Sequence, residues 1–167
     1  MSEMKRKQIN IKIILLESLA LIFLINGIQR LYVASKGKIY EAALDENWVK
    51  FESLTNESLG DVLAYRAFWT LGIIIVGIFV VGIINWKNKV RIINSIIVFG
   101  IIVGITLTGF FLSGIPNQYL NYFCGIFAES YGLSFLIGGT ILTIIGIIIL
   151  WKSINLNKNT IHNTVQN

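Results

Sequence analysis

This chain of 167 residues carries 54% hydrophobic and only 14% charged side chains, with a mean hydropathy of +0.71. Soluble domains average about 25% charged, so the composition excludes an ordinary soluble domain and points to a membrane protein. The net charge of +5 does not argue for a nucleic-acid partner, because the basic residues flank apolar runs and form no patch interleaved with aromatics.

Residues 1–12 read as a basic cytoplasmic tail with Lys5, Arg6, Lys7 and Lys12. The first apolar run, 13–33, makes a helix of roughly 31 Å, about the thickness of a hydrocarbon core. A secretory signal would have an h-region of about 7–15 residues, and Asn26 to Arg30 is a poor small-residue cleavage site, so an uncleaved span is expected. Unlike the later runs, this one contains Glu17, Asn26, Gln29 and Arg30. Polar groups at membrane depth are costly, and each must find a protein or water partner or snorkel to the interface. At about 100° per residue Asn26, Gln29 and Arg30 share a side of the helix while Glu17 points away, so Glu17 and Arg30 are no intrahelical pair.

The connector that follows carries Lys36, Lys38, Lys50 and Arg66 among acids from Glu41 to Asp61. Tyr40, Leu44, Trp48 and Phe51 recur at helical spacing with charged residues between them, which predicts one short amphipathic helix lying on the membrane or capping the bundle. Asn56, Glu57 and Ser58 fit a glycosylation sequon that arises readily by chance. A second span is expected over 67–86 and a third over 92–113, joined by the basic turn Lys87 to Arg91 as an antiparallel pair. Segment 114–130 has no Lys or Arg, the fourth span covers 131–151, and 152–167 reads as a flexible polar tail. Nine Lys/Arg then lie on one side and four on the other, with Arg30 inside a span. Positive charge near span ends stays cytoplasmic, so the expectation is an all-α, integral membrane four-helix bundle with both termini inside.

Small residues let membrane helices approach closely. Gly100, Gly104 and Thr108 line up on the third span, and Ser134, Gly138 and Gly146 on the fourth, with Gly139 and Thr143 beside them. They are expected to bring those two helices together, with a self-dimerising face as the sharper alternative. Gly72, Gly77 and Gly82 are five apart and form no stripe.

Among the polar residues, Arg30 falls near the outer boundary, where snorkelling or an acid such as Glu129 or Asp61 would satisfy it. Glu17 lies deeper; contact with Lys12 or with the Lys87 to Arg91 turn is the plain reading, and a proton-carrying carboxyl the sharper one. Cys124, the sole cysteine, sits among Tyr119, Tyr122, Phe123, Ile126 and Phe127, aromatics that suit the interfacial belt, with no flanking Lys, Arg or His to lower its pKa. His162 falls in the tail, away from any acid or thiol by sequence. Nucleotide-loop, zinc-protease, serine-nucleophile and paired-cysteine patterns are absent, so no metal and no cofactor is expected.

Two stretches together carry a family resemblance. Phe23-Leu24-Ile25-Asn26-Gly27-Ile28-Gln29-Arg30-Leu31 is similar to the first-helix pattern of the DoxX/MauE group of small four-span membrane proteins. Cys124-Gly125-Ile126-Phe127-Ala128-Glu129 resembles the Cys-Gly-Cys-Phe-Gly-Asp/Glu segment of its MauE-like branch. The resemblance implies quinone or thiol redox, or maturation of exported proteins. Ile126 stands where the second cysteine would be and Ala128 replaces a glycine, so a dithiol cycle cannot run within one chain and Cys124 could act only with an outside thiol.

The leading functional expectation is a non-enzymatic accessory subunit acting at the extracytoplasmic face of a bacterial cytoplasmic membrane. Its partners would be the lipid bilayer, a membrane or extracytoplasmic protein, and a second copy, with no nucleic acid. The alternatives are a small proton-coupled carrier using Glu17 and a thiol or quinone redox component using Cys124.

Overall fold

The computed structural model describes the backbone of residues 9–165 and the side chains of residues 9–156. Lys5, Arg6, Lys7 and the side chains of Lys158 and His162 lie outside these described residues. Within them the chain forms α1 (Ile11–Ser35), α2 (Gly37–Leu44), α3 (Trp48–Leu54), α4 (Leu59–Lys87), α5 (Ile92–Leu107), α6 (Ile115–Gly125) and α7 (Tyr131–Val165), and no strand. Three of these helices, α1, α4 and the Tyr131–Leu156 part of α7, are long and apolar enough to cross a membrane, with mean hydropathies of 2.1, 2.7 and 2.6. The protein is an all-helical membrane protein by this criterion.

α1 is the centre of the bundle. It starts where the Asn10 side chain accepts a hydrogen bond from Ile13 N at 3.2 Å, satisfying one of the orphan amides of the first turn. Half of its apolar stretch is buried, against 17% for α4, so α1 packs inward on several sides while α4 turns most of its surface outward. α7 lies closest to it. A Cβ on Gly27 would stand 2.6 Å from Thr143 N and 2.9 Å from Gly139 O, and a Cβ on Gly146 would stand 2.9 Å from Leu24 N. The two backbones therefore touch where side chains are missing, and dispersion contacts along this seam replace the hydrophobic drive that lipid cannot supply.

Two apolar clusters fill the space around α1. One joins Leu21 and Ile25 to Ile74 and Val81 of α4, Val98 and Ile102 of α5, and Phe111. The other joins Val33 to Tyr40, Phe51, Val62, Cys124 and Phe135 and lies beneath α2, α3 and α6, which form a cap over one end.

The structure corrects four expectations. The single amphipathic helix is two helices, because Glu46 takes a left-handed φ of 53° and the Asn47 side chain accepts from Lys50 N at 3.0 Å to start α3. Tyr40 and Phe51 are buried as its face predicts, but Leu44 and Trp48 are exposed. The third apolar run does not stay helical to residue 113. α5 stops at Leu107, a length of about 24 Å; Gly109 adopts φ +73°, and the amides of Leu112, Ser113 and Gly114 all fold back onto its carbonyl.

The small-residue stripes also pair differently. Ser134, Gly138 and Gly146 lie on the inward side of α7, but their neighbours are α1 and α6, whereas Gly100 and Gly104 have nothing within 4 Å of where a Cβ would stand and Thr108 is exposed. Gly27 on α1 supplies the close approach that the sequence assigned to α5. Finally, the tail expected to be loose continues as helix through Val165, there being no Gly or Pro after Trp151 to end it.

Replacing Gly27 by Ala should lower stability by about 1–3 kcal/mol, the usual cost of overpacking. Gly104→Ala, which meets open space, should leave the unfolding midpoint unchanged or slightly raised. Thermal unfolding of both variants in the same detergent checks the contrast.

Candidate functional site

The polar side chains of α1 are sorted into two buried layers by their position along the helix. At the capped end Arg30 is 1% exposed, yet no carboxylate reaches it among the described residues. Its Nη1 donates to Asn26 O at 3.1 Å and Asn26 Oδ1 at 3.0 Å, one turn back on the same helix. Its Nη2 donates across to α6, to Asn117 O at 3.2 Å, Asn117 Oδ1 at 3.0 Å and Asn121 Oδ1 at 2.8 Å.

The acceptors are oriented before the arginine meets them. Asn26 Nδ2 donates to Ile22 O at 2.8 Å and Asn117 Nδ2 to Leu112 O at 3.0 Å, so both amides turn their oxygens toward the guanidinium. A planar fork of fixed donors suits this arrangement, and five neutral oxygens spread the charge that no anion neutralises.

Gln29 extends the layer on the other side. Its Nε2 donates to Phe111 O at 2.8 Å and to Thr70 Oγ1 at 3.2 Å, and the Thr70 hydroxyl in turn donates to Arg66 O at 2.8 Å. α1 is thereby tied to α4 and to the turn before α6.

Cys124 sits against this layer with no exposure. It occupies the space left by Gly138, where a Cβ would stand 2.9 Å from Cys124 Cβ and 3.0 Å from its Cα. Burial pushes the thiol up, and the Arg30 guanidinium beside it draws it down by less. The sequence showed no cation near Cys124 because this one arrives from α1. Tyr40 stacks on Tyr131 at 6.4 Å and Tyr131 on Phe135 at 4.3 Å, which locks α2 to the start of α7. Burial pushes the Tyr40 phenol up to about 12, with Arg66 acting in the opposite sense.

The second layer lies at the other end. Glu17 is 1% exposed and accepts from Asn85 Nδ2 at 2.8 Å and Ser153 Oγ at 3.4 Å; Asn85 also reaches Ser95 Oγ at 3.0 Å. Neither Lys12 nor the turn after α4 supplies its partner, contrary to expectation. The carboxyl instead joins α1, α4, α5 and α7 through neutral groups. The acids expected near Arg30 are elsewhere as well: Asp61 accepts from Ser58 in a capping box at the start of α4, and Glu129 is exposed.

The structure thus brings Asn26, Arg30 and Cys124 together, places Gln29 beside them, and leaves Glu17 and Glu129 apart. Sequence reasoning missed Thr70, Asn85, Ser95, Asn117, Asn121 and Ser153. A signal existed for three of them, since Asn85 interrupts an apolar helix and Asn117 and Asn121 are one helical turn apart. Among the described residues no group of three His, Cys, Asp or Glu gathers to hold a metal ion. Comparison of the chain with protein-family models, curated proteins and solved structures gives no match.

Arg30→Met strands several buried acceptors and should cost about 2–4 kcal/mol. Because Cys124 is the only thiol and lies under the same contact, a small alkylating reagent at neutral pH should leave the native protein unmodified and modify the variant readily. Equal labelling of the two would show that Arg30 does not hold α6 in place.

Proposed function

We propose that this chain is a non-enzymatic accessory subunit of a bacterial cytoplasmic membrane, similar to the DoxX/MauE group, that engages a protein partner through its extracytoplasmic cap. In this reading it crosses the bilayer four times with both ends in the cytosol, and α5 completes the third crossing with the turns that follow it. The charge pattern supports that orientation, because Lys12, Lys87, Lys89, Arg91 and Lys152 all belong to the end away from the cap.

The observation that carries the proposal is the meeting of the two stretches on which the resemblance rests. Arg30 of the first reaches α6 through Asn117 and Asn121 and lies against Cys124 of the second. This contact makes the cap a rigid extension of the bundle, and it leaves Trp48, Val49, Tyr119 and Tyr122 facing outward. Exposed aromatic and aliphatic side chains on a rigid platform suit binding to a protein surface.

The two alternatives have less behind them. A thiol exchange needs an accessible sulfur, and Cys124 of α6 is sealed against Gly138 of α7. A carrier needs its carboxyl to meet the aqueous phase, and Glu17 is closed in by Asn85 and Ser153.

A photoreactive side chain placed at Val49 or Tyr122 in living cells should yield a discrete adduct with a second protein, and the same probe at Phe79, on the outward face of α4, should not. Lack of such an adduct from both cap positions would defeat the reading. Glu17→Gln keeps an oxygen for Asn85 and Ser153, so its stability should change by less than about 1 kcal/mol and the adduct should persist. Loss of a pH-dependent uptake in that variant would favour the carrier.

A further inference from the structure

A groove of about 820 Å³ runs along α1 and α4, on the side of α1 opposite Arg30. Its walls are apolar, with Leu21, Ile25 and Ile28 on one side and Ile73, Val76 and Val80 on the other. Gly72 opens it. A Cβ on Gly72 would meet nothing within 4 Å, whereas at Gly77, which also lines the groove, the Leu21 side chain already stands 2.9 Å from where a Cβ would be. The volume lies within the range of about 300–1,000 Å³ that holds small apolar ligands.

One end of this groove differs from the rest. Lys36, just beyond α1, and Glu57, just before α4, both line it there, together with Tyr32 and Tyr65. Tyr32 stacks on Trp69 at 5.4 Å, and both rings line the groove next to this end. Lys36 and Glu57 are exposed and, among the described residues, no ion pair closes between them. Opposite charges held apart at the mouth of an apolar slot in two membrane-length helices match a molecule with the same sequence of parts: a zwitterionic head and a long hydrocarbon tail.

We infer that this groove holds a phospholipid with a primary-amine zwitterionic headgroup, one acyl chain lying between α1 and α4, its phosphate on Lys36 and its ammonium on Glu57. The inference rests on α1 and α4 crossing the bilayer and is independent of the protein partner. A phosphate accepts hydrogen bonds from a lysine as a point charge, and a primary ammonium donates to a carboxylate, which a quaternary head cannot do. The tail gains apolar contact along both helices where the space beside Gly72 is already open.

The test uses the full-length chain purified in mild detergent, with phosphatidylethanolamine, phosphatidylcholine and phosphatidylglycerol as separate probes and retained lipid counted by native mass spectrometry. One phosphatidylethanolamine per chain should be retained, preferred by about fivefold over each other lipid, the most that one exposed charge pair contributes. Gly72→Leu, which fills the slot, should abolish the retained lipid while leaving the unfolding midpoint in place. Glu57→Lys should turn the preference toward phosphatidylglycerol.

Equal retention of the three lipids, or retention untouched by Gly72→Leu, would show only annular lipid and overturn the site. A second copy of the chain seated in the groove, seen as a dimer that Gly72→Leu dissolves, would overturn it too. Extraction of the chain from cells without detergent would instead strike at the membrane assignment, so the two failures are distinguishable.

Discussion

The capped end of this protein depends on a guanidinium buried without a carboxylate partner among the described residues. A carboxylate partner would neutralise the charge but would also bring a second desolvated ion, whose cost often exceeds the attraction it supplies. The chain uses neutral oxygens instead, two from Asn26 and three from Asn117 and Asn121. The consequence is geometric. Two acceptors fix the guanidinium on α1 and three from Asn117 and Asn121 fix α6 against it, so a helix of 11 residues, too short to cross a bilayer and only partly buried, is held by a contact that resists sliding.

The Glu17 layer imposes the same discipline at the opposite end. Asn85 of α4 and Ser153 of α7 both donate to one carboxyl of α1, and Asn85 in turn donates to Ser95 of α5. The bare-backbone seam with α7 begins within the Arg30 layer, where Gly27 faces Gly139 and Thr143, and continues between the two layers, where Gly146 meets Leu24. Such a seam is permissive in register, because glycine surfaces carry no knobs to fix translation along the axis. The polar layers supply what it lacks, so close packing and specific pairing are provided by different residues.

The helical class, the membrane-length runs and the turn after α4 were legible because apolar length and charge placement are local properties of a sequence. That Glu17, Asn26, Gln29 and Arg30 would need partners inside the protein was legible too, since polar groups in an apolar run stand out. Their partners were not. Sequence reasoning assigned charged partners to charged residues, and the fold supplied amides and hydroxyls from Asn85, Asn117, Asn121 and Ser153, whose pairing depends on tertiary placement. The early end of α5 was hidden because Phe110, Phe111 and Leu112 continue the apolar pattern beyond Gly109 although the backbone has already turned. The split between α2 and α3 was hidden for the same reason, the amphipathic spacing running unbroken through Asn47.

The short α5 has a consequence for the surrounding lipid. In the proposed four-crossing arrangement α4 has 29 residues of helix and its neighbour α5 has 16, so the turns that carry Phe110, Phe111 and Leu112 must cover the rest of the third crossing. Wherever those turns fall short of the hydrocarbon height, acyl chains beside α5 would compress or tilt, at a fraction of a kcal/mol for each Å of mismatch. The protein would therefore impose a thickness gradient on its own annulus and favour membranes, or neighbouring helices, that match the thinner side.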